Sequence, residues 1–149
     1  MKLNAGIITS RLAETKQFYQ NVLNFGVTFE NDFYLLLHTP DHQAGLSFLL
    51  PDHPSQQPLF QPAFAGKGVY LTIEYPDVDA EYERIRALNV PITIDLRDEP
   101  WGDRHFAIVD PNGVGILNRS LLRPAQTAAR TGRGPIAVVR PGGRPADRR

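Results

Sequence analysis

Apolar and polar positions along the chain fall into two series that run in the same order. Residues 3–9 form a short apolar run, which predicts a first strand. The spacing then changes. Leu12, Thr15, Tyr19, Val22 and Leu23 fall on one helical face with Phe18 beside it, and Ser10 is placed to cap that helix. Asn24 and Gly26 stop it, and residues 27–30, 33–38 and 44–50 read as three strands, the first two joined by Asn31-Asp32. Residues 51–66 hold Pro51, Pro54, Pro58 and Pro62, a density that argues against regular structure. Leu59, Phe60 and Phe64 make this linker more apolar than most, suited to covering the sheet or a neighbouring subunit.

The series then repeats. Residues 67–75 predict a strand with Val69, Leu71 and Ile73 packed inward, leaving Tyr70, Thr72 and Glu74 on the opposite face. Asp77 is placed to cap a helix whose buried side is Val78, Tyr82, Ile85 and Leu88. Residues 91–96, 104–109 and 114–119 are the last three strands. Within 104–109, Arg104, Phe106 and Ile108 alternate with His105, Ala107 and Val109. Asp110-Pro111-Asn112-Gly113 is a strong turn signal, with Pro fixing φ at the second position and Gly accepting positive φ at the last. The residues 23–28 and 88–93 echo one another weakly, Leu23-Asn24 against Leu88-Asn89 and Thr28 against Thr93. The expected class is α+β, with two βαβββ modules forming a cupped sheet, helices on the outer face, and the other face free to curve round a ligand. Module one spans about 3–50, the linker 51–66 and module two 67–120, within one domain of residues 1–122.

Composition narrows the chemistry. With no cysteine there is no disulfide, thiolate nucleophile or cysteine metal site, which agrees with a reducing cytoplasm. No signal pattern or long apolar run is seen, so neither secretion nor membrane spanning is expected. Of 16 basic and 16 acidic residues, seven arginines and Asp147 lie in 123–149, which leaves residues 1–122 with nine basic and 15 acidic side chains, a formal charge of −6. An acidic body attracts cations and repels nucleic acid. Residues 123–149, with four Gly, four Pro and a formal charge of +6, are expected to form a flexible basic tail in which only Ile136-Ala137-Val138-Val139 suits a strand. That tail lacks the aromatic residues and motif of a nucleic-acid arm.

The segment from Pro100 to Gly113 reads W-G-x-R-x-F-x-x-x-D-P-x-G after its proline. It resembles the last strands of the glyoxalase/bleomycin resistance/extradiol dioxygenase (vicinal oxygen chelate) superfamily, closest to the bleomycin-resistance-like branch. The resemblance covers about residues 3–120 and implies the paired βαβββ fold. In enzymes of that superfamily, four inward positions hold a divalent metal through His, Glu or Gln. Those positions fall near Asn4, Ser47, Tyr70 and Leu117, none of which is such a ligand. A shift of register would bring in Glu74 and His105 first, then His38, His42 and His53, whose ordinary roles are surface or hydrogen-bonding ones. No metal, cofactor or catalytic residue is expected. No Gly-rich phosphate loop, G-x-S-x-G elbow or H-E-x-x-H is present, and the acidic pairs Asp98-Glu99 and Glu81-Glu83 read as solvated faces.

What remains is a cup with flat walls. Trp101, Tyr70, Phe33, Phe60 and Tyr34 are candidate stacking surfaces, although each aromatic taken alone reads as core before it reads as binding, and Glu74 and Arg104 are the polar candidates. The expected function is a non-enzymatic protein that sequesters a planar, cationic drug or metabolite. By resemblance it is a homodimer. The alternative is a divalent-metal-dependent glyoxalase-type lyase, isomerase or dioxygenase with displaced ligands. A third reading is a module that binds a protein or metabolite without a resistance role.

Overall fold

The computed structural model describes residues 3–121, so the expected tail at 123–149 lies outside the described residues. Module one is β1 (Asn4–Ile8), α1 (Leu12–Leu23), β2 (Gly26–Glu30), β3 (Tyr34–His38) and β4 (Gly45–Leu49). Module two is β5 (Tyr70–Glu74), α2 (Val78–Ala87), β6 (Ile94–Asp98), β7 (Asp103–Val109) and β8 (Gly115–Leu121). The sheets have the same order, β1-β4-β3-β2 and β5-β8-β7-β6. In each, the first strand runs parallel to the last while the other pairs are antiparallel. This is the two-module βαβββ architecture expected from the hydrophobic pattern. No helix among the described residues is long and apolar enough to cross a membrane.

Strand alternation puts one face of each sheet on its helix. Ile7, Leu35, Leu37, Leu46 and Phe48 are buried with Tyr19 and Leu23, and Phe106, Ile108, Val114 and Ile116 with Val78 and Ile85, in one continuous core. The helix ends hold two corrections. Ser10 does not cap α1, whose N-cap position is Arg11 without a side-chain bond; the Thr9 hydroxyl instead accepts the Arg11 N–H at 3.1 Å. Leu88 is not on the buried stripe, because α2 ends at Ala87 and Leu88 is 47% exposed. Asp77 caps α2 as expected, accepting the Ala80 N–H at 3.0 Å, and Asn24 ends α1 at φ 58°. Val69 lies before β5 and is largely exposed, so only Leu71 and Ile73 carry that strand's inward face.

The linker includes a 3-10 turn at Pro58–Phe60, and the Phe64 N–H donates to the Ile8 carbonyl at 2.8 Å, closing over the β1 edge. The modules are joined by the turn after β7. The Asp110 carboxylate accepts the N–H groups of Asn112 (2.8 Å) and Val114 (2.9 Å) and the Tyr19 hydroxyl of α1 (3.1 Å). Asn112 in turn accepts the Thr9 hydroxyl at 2.6 Å and donates to Thr15 Oγ1 at 3.0 Å. Burial, with Asp110 adding to it, pushes the Tyr19 phenol pKa well above its ordinary value.

Candidate functional site

The face of each sheet away from its helix is exposed along β1 and β5, while Asp103, His105 and Ala107 of β7 are buried. On module two it carries Tyr70, Thr72 and Glu74 from β5, each in register with Gly115, Leu117 and Arg119 of β8. His105 of β7 lies opposite Arg119, and Arg97 of β6 opposite His105. One row across the sheet therefore reads Glu74, Arg119, His105, Arg97. The identical strand order defines the equivalent row of module one as Ile8, Leu49, Tyr34, by the pairs Ile8–Leu49 and Tyr34–Leu49. The same place in the fold is apolar in one module and charged in the other.

In module one this row floors a cavity of about 370 Å³, lined by Gly6, Ile8, Tyr34, Ser47, Leu49, Gln56 and Phe60. Its size suits a small-molecule ring system, and its walls are mainly apolar and aromatic with Ser47 and Gln56 as the polar groups. Phe33, which precedes Tyr34, stacks on His53 with centroids 3.9 Å apart at 12°. In module two the row is a chain of charge-assisted bonds. Arg119 Nη2 donates to Glu74 Oε1 at 2.6 Å and Nη1 to Asp103 Oδ2 at 3.1 Å. The same Asp103 oxygen accepts the Trp101 indole Nε1–H at 3.2 Å. The Glu74 carboxylate, and then Asp103, hold the Arg119 guanidinium pKa above its ordinary value. Beside this chain, Glu99 accepts Arg97 Nε at 2.7 Å and stands 3.5 Å from His105 Nε2. Glu99 is therefore buried rather than solvated, and Glu81 is also shielded, paired with Arg84 at 2.5 Å.

The six candidates fall in different places. Glu74 and Trp101 join one hydrogen-bonded chain through Arg119 and Asp103. Phe60 lines the module-one cavity, while Phe33 pairs with His53. Tyr70 starts β5 opposite Gly115, whereas Trp101 is tethered to Asp103, which lies opposite Leu121. Six residues of β8 separate those register points, about 20 Å of backbone at the usual strand rise. Arg104 lies on the helix side, bonded to Asp79 at 2.8 and 2.7 Å and to Asp98 at 2.8 Å, and Asp79 above all raises its pKa. Asp103, Arg119, Ile8, Leu49 and Gln56 escaped the sequence reading. Alternation within β8 could have found Arg119, on the same face as Leu117, whereas the Trp101–Asp103 bond depends on the fold of the turn.

The superfamily's metal positions can be tested on these faces. Asn4 lies against Gly45, the Ser47 hydroxyl donates to the Ala5 carbonyl at 3.3 Å, and Leu117 has no donor atom. Among the described residues no group of three or more His, Asp or Glu side chains stands close enough to hold an ion. Glu74 and His105 are two strands apart, about 10 Å, with Arg119 on the strand between them. His38 stacks on His42 with ring centroids 3.8 Å apart, and His53 Nδ1 lies 2.8 Å from the Ser55 hydroxyl. The residues present do not fit a divalent metal at these positions.

Two linked βαβββ modules with open faces define a paired-module protein of the vicinal oxygen chelate kind. Residues 3–117 match the Glyoxalase/Bleomycin resistance protein/Dioxygenase superfamily, and the chain belongs to it. Similar solved structures include TnmS3, an antibiotic binding protein from Streptomyces sp. CB03234, at 20% identity and TM-score 0.64, covering 81% of this chain and 96% of that one. A bleomycin-binding protein complexed with bleomycin shares 21% identity at TM-score 0.57, over 83% of this chain and 98% of that one. A lactoylglutathione lyase from Agrobacterium tumefaciens shares 17% identity at TM-score 0.65, over 79% and 92%. At these identities the likeness speaks for the fold alone. No curated protein matches the chain.

Proposed function

We propose that this protein is a non-enzymatic, cytoplasmic homodimer that sequesters a planar, cationic small molecule on its open faces. The observation that carries this reading is the module-one cavity of about 370 Å³ with Tyr34 and Phe60 in its wall. A planar ring gains from burial between such groups. On the other open face the tethered Trp101 adds a second flat surface beside the Glu74–Arg119 ion pair. The donor set at Asn4, Ser47, Tyr70 and Leu117 favours binding over metal-assisted turnover. Antibiotic-binding and bleomycin-binding structures with this fold support the ligand class. Phe29 and Phe60, each 51% exposed, and Leu59, 79% exposed, are apolar surface that a two-fold partner would cover. Capture of this kind is stoichiometric, so protection requires a dissociation constant well below the ligand concentration.

The lone tryptophan reports binding directly. Titration with bleomycin and with planar cationic dyes should change its emission and saturate at one ligand per protomer, with or without EDTA. Phe60→Ala should weaken binding. Stoichiometric zinc, nickel, manganese or iron in protein purified without chelator, together with a turnover that EDTA abolishes, would reverse the reading in favour of a metalloenzyme.

A further inference from the structure

We propose that Asp103 is a positioning residue: it fixes the Trp101 indole in the orientation that stacks on the ligand. This deepens the binding reading above and rests on it. The turn that carries Trp101 is set by its backbone, since the Glu99 N–H donates to the Asp103 carbonyl at 2.7 Å and the Gly102 N–H to the Glu99 carbonyl at 3.0 Å. Gly102 sits at φ 100°, which only glycine adopts freely. What the backbone leaves open is the side-chain torsions of Trp101, whose residue is 70% exposed. Water would satisfy the N–H of an indole so placed. Instead the N–H is held at 3.2 Å by a carboxylate whose side chain is only 10% exposed.

The anchor is itself anchored. Asp103 Oδ2 also accepts Arg119 Nη1 at 3.1 Å, and Arg119 reaches Glu74 at 2.6 Å on the sheet edge. Arg119 thereby compensates the shielded charge of Asp103 and ties the indole to β7, β8 and β5 together. The core does not require a largely exposed indole to be held in place, since Trp101 lies outside the buried cluster. A stacking surface does require it. A loose aromatic must be ordered when a ligand arrives, and a tether supplies that order beforehand.

Because Trp101 is the only tryptophan, its fluorescence reads the tether without a label. In the free protein, Asp103→Ala should lower the anisotropy of the indole and increase its quenching by acrylamide. Asp103→Asn, whose amide oxygen still accepts a hydrogen bond, should restore both. With bleomycin as the probe, Asp103→Ala should lose about three- to ten-fold in affinity, and Asp103→Asn less. A folded Asp103→Ala protein, checked by circular dichroism, with the parent's anisotropy and quenching overturns the proposal. Should that variant not fold, the parent decides: its indole Nε1–H should exchange with deuterium more slowly than a free indole, and exchange at the free rate overturns the proposal. These measurements need no ligand. If bleomycin binds neither parent nor variant, the binding reading fails while the tether is still decided by the indole.

Discussion

Tyr19 shows how a single hydroxyl links sequence, packing and response to pH. It is fully buried, donates to Asp110 at 3.1 Å, and its phenol pKa is raised above the ordinary 10.0 first by burial and then by that carboxylate. Above pH 10 the unfolded chain releases the phenolic proton while the folded protein keeps it. The unfolded state then binds fewer protons, and stability falls as pH rises. Tyr75, raised by burial and by Glu81, acts in the same direction. Urea unfolding at pH 7 and pH 11 should show this loss. Tyr19→Phe should give up about 1 kcal/mol at pH 7 yet have a flatter decline above pH 10; an unchanged decline would place the titration elsewhere. On the open face, Trp101→Ala should weaken a planar cationic ligand by about 1–3 kcal/mol, roughly 5- to 150-fold. Fluorescence is lost in that variant, so calorimetry with bleomycin is the measurement, and equal affinities would remove Trp101 from the site.

Elements follow from alternation and caps. In α2 the stripe of Val78, Tyr82 and Ile85 turns toward β7, where Tyr82 meets Phe106 edge to face at 5.3 Å. Ile85 is completely buried, so Ile85→Ala should cost about 2–5 kcal/mol in denaturant unfolding, and a loss under about half a kcal/mol would mean the face is misassigned. Removing the cap with Asp77→Ala should cost about 1 kcal/mol. Sequence period does not mark where an element ends. Ser10 leaves α1 without a side-chain cap, and Leu88 fell one residue beyond the last helical position, because terminal turns depend on local hydrogen bonds that periodicity does not contain. Strand faces were legible throughout β7, since Phe106 and Ile108 must be buried together. Arg104 shares that face, and this alternation sets it against Asp79 of α2 rather than on the open side.

At the scale of the whole molecule, the two modules meet through a turn whose residues were chosen for its own geometry and then used again. Asn112 completes the turn and also binds Thr9 and Thr15 at the start of α1. Asn112→Ala should therefore destabilise by about 1–3 kcal/mol, more than an exposed turn substitution, as measured by thermal or denaturant unfolding. The exposed Leu59 and Phe60 lead to the expectation of a dimer, and light scattering at micromolar concentration that shows only the monomer mass would refute it. Sequence by itself determined the repeated βαβββ order and most of the core faces, because these rest on residue type and period. Only the tertiary structure decided which candidates meet. It tied Trp101 to Glu74 through Asp103 and Arg119, set the register partners of Tyr70 and Asp103 six residues apart on β8, and made equivalent rows apolar in one sheet and charged in the other. Strand register and side-chain hydrogen bonds bring together residues far apart along the chain, and no local pattern encodes that meeting.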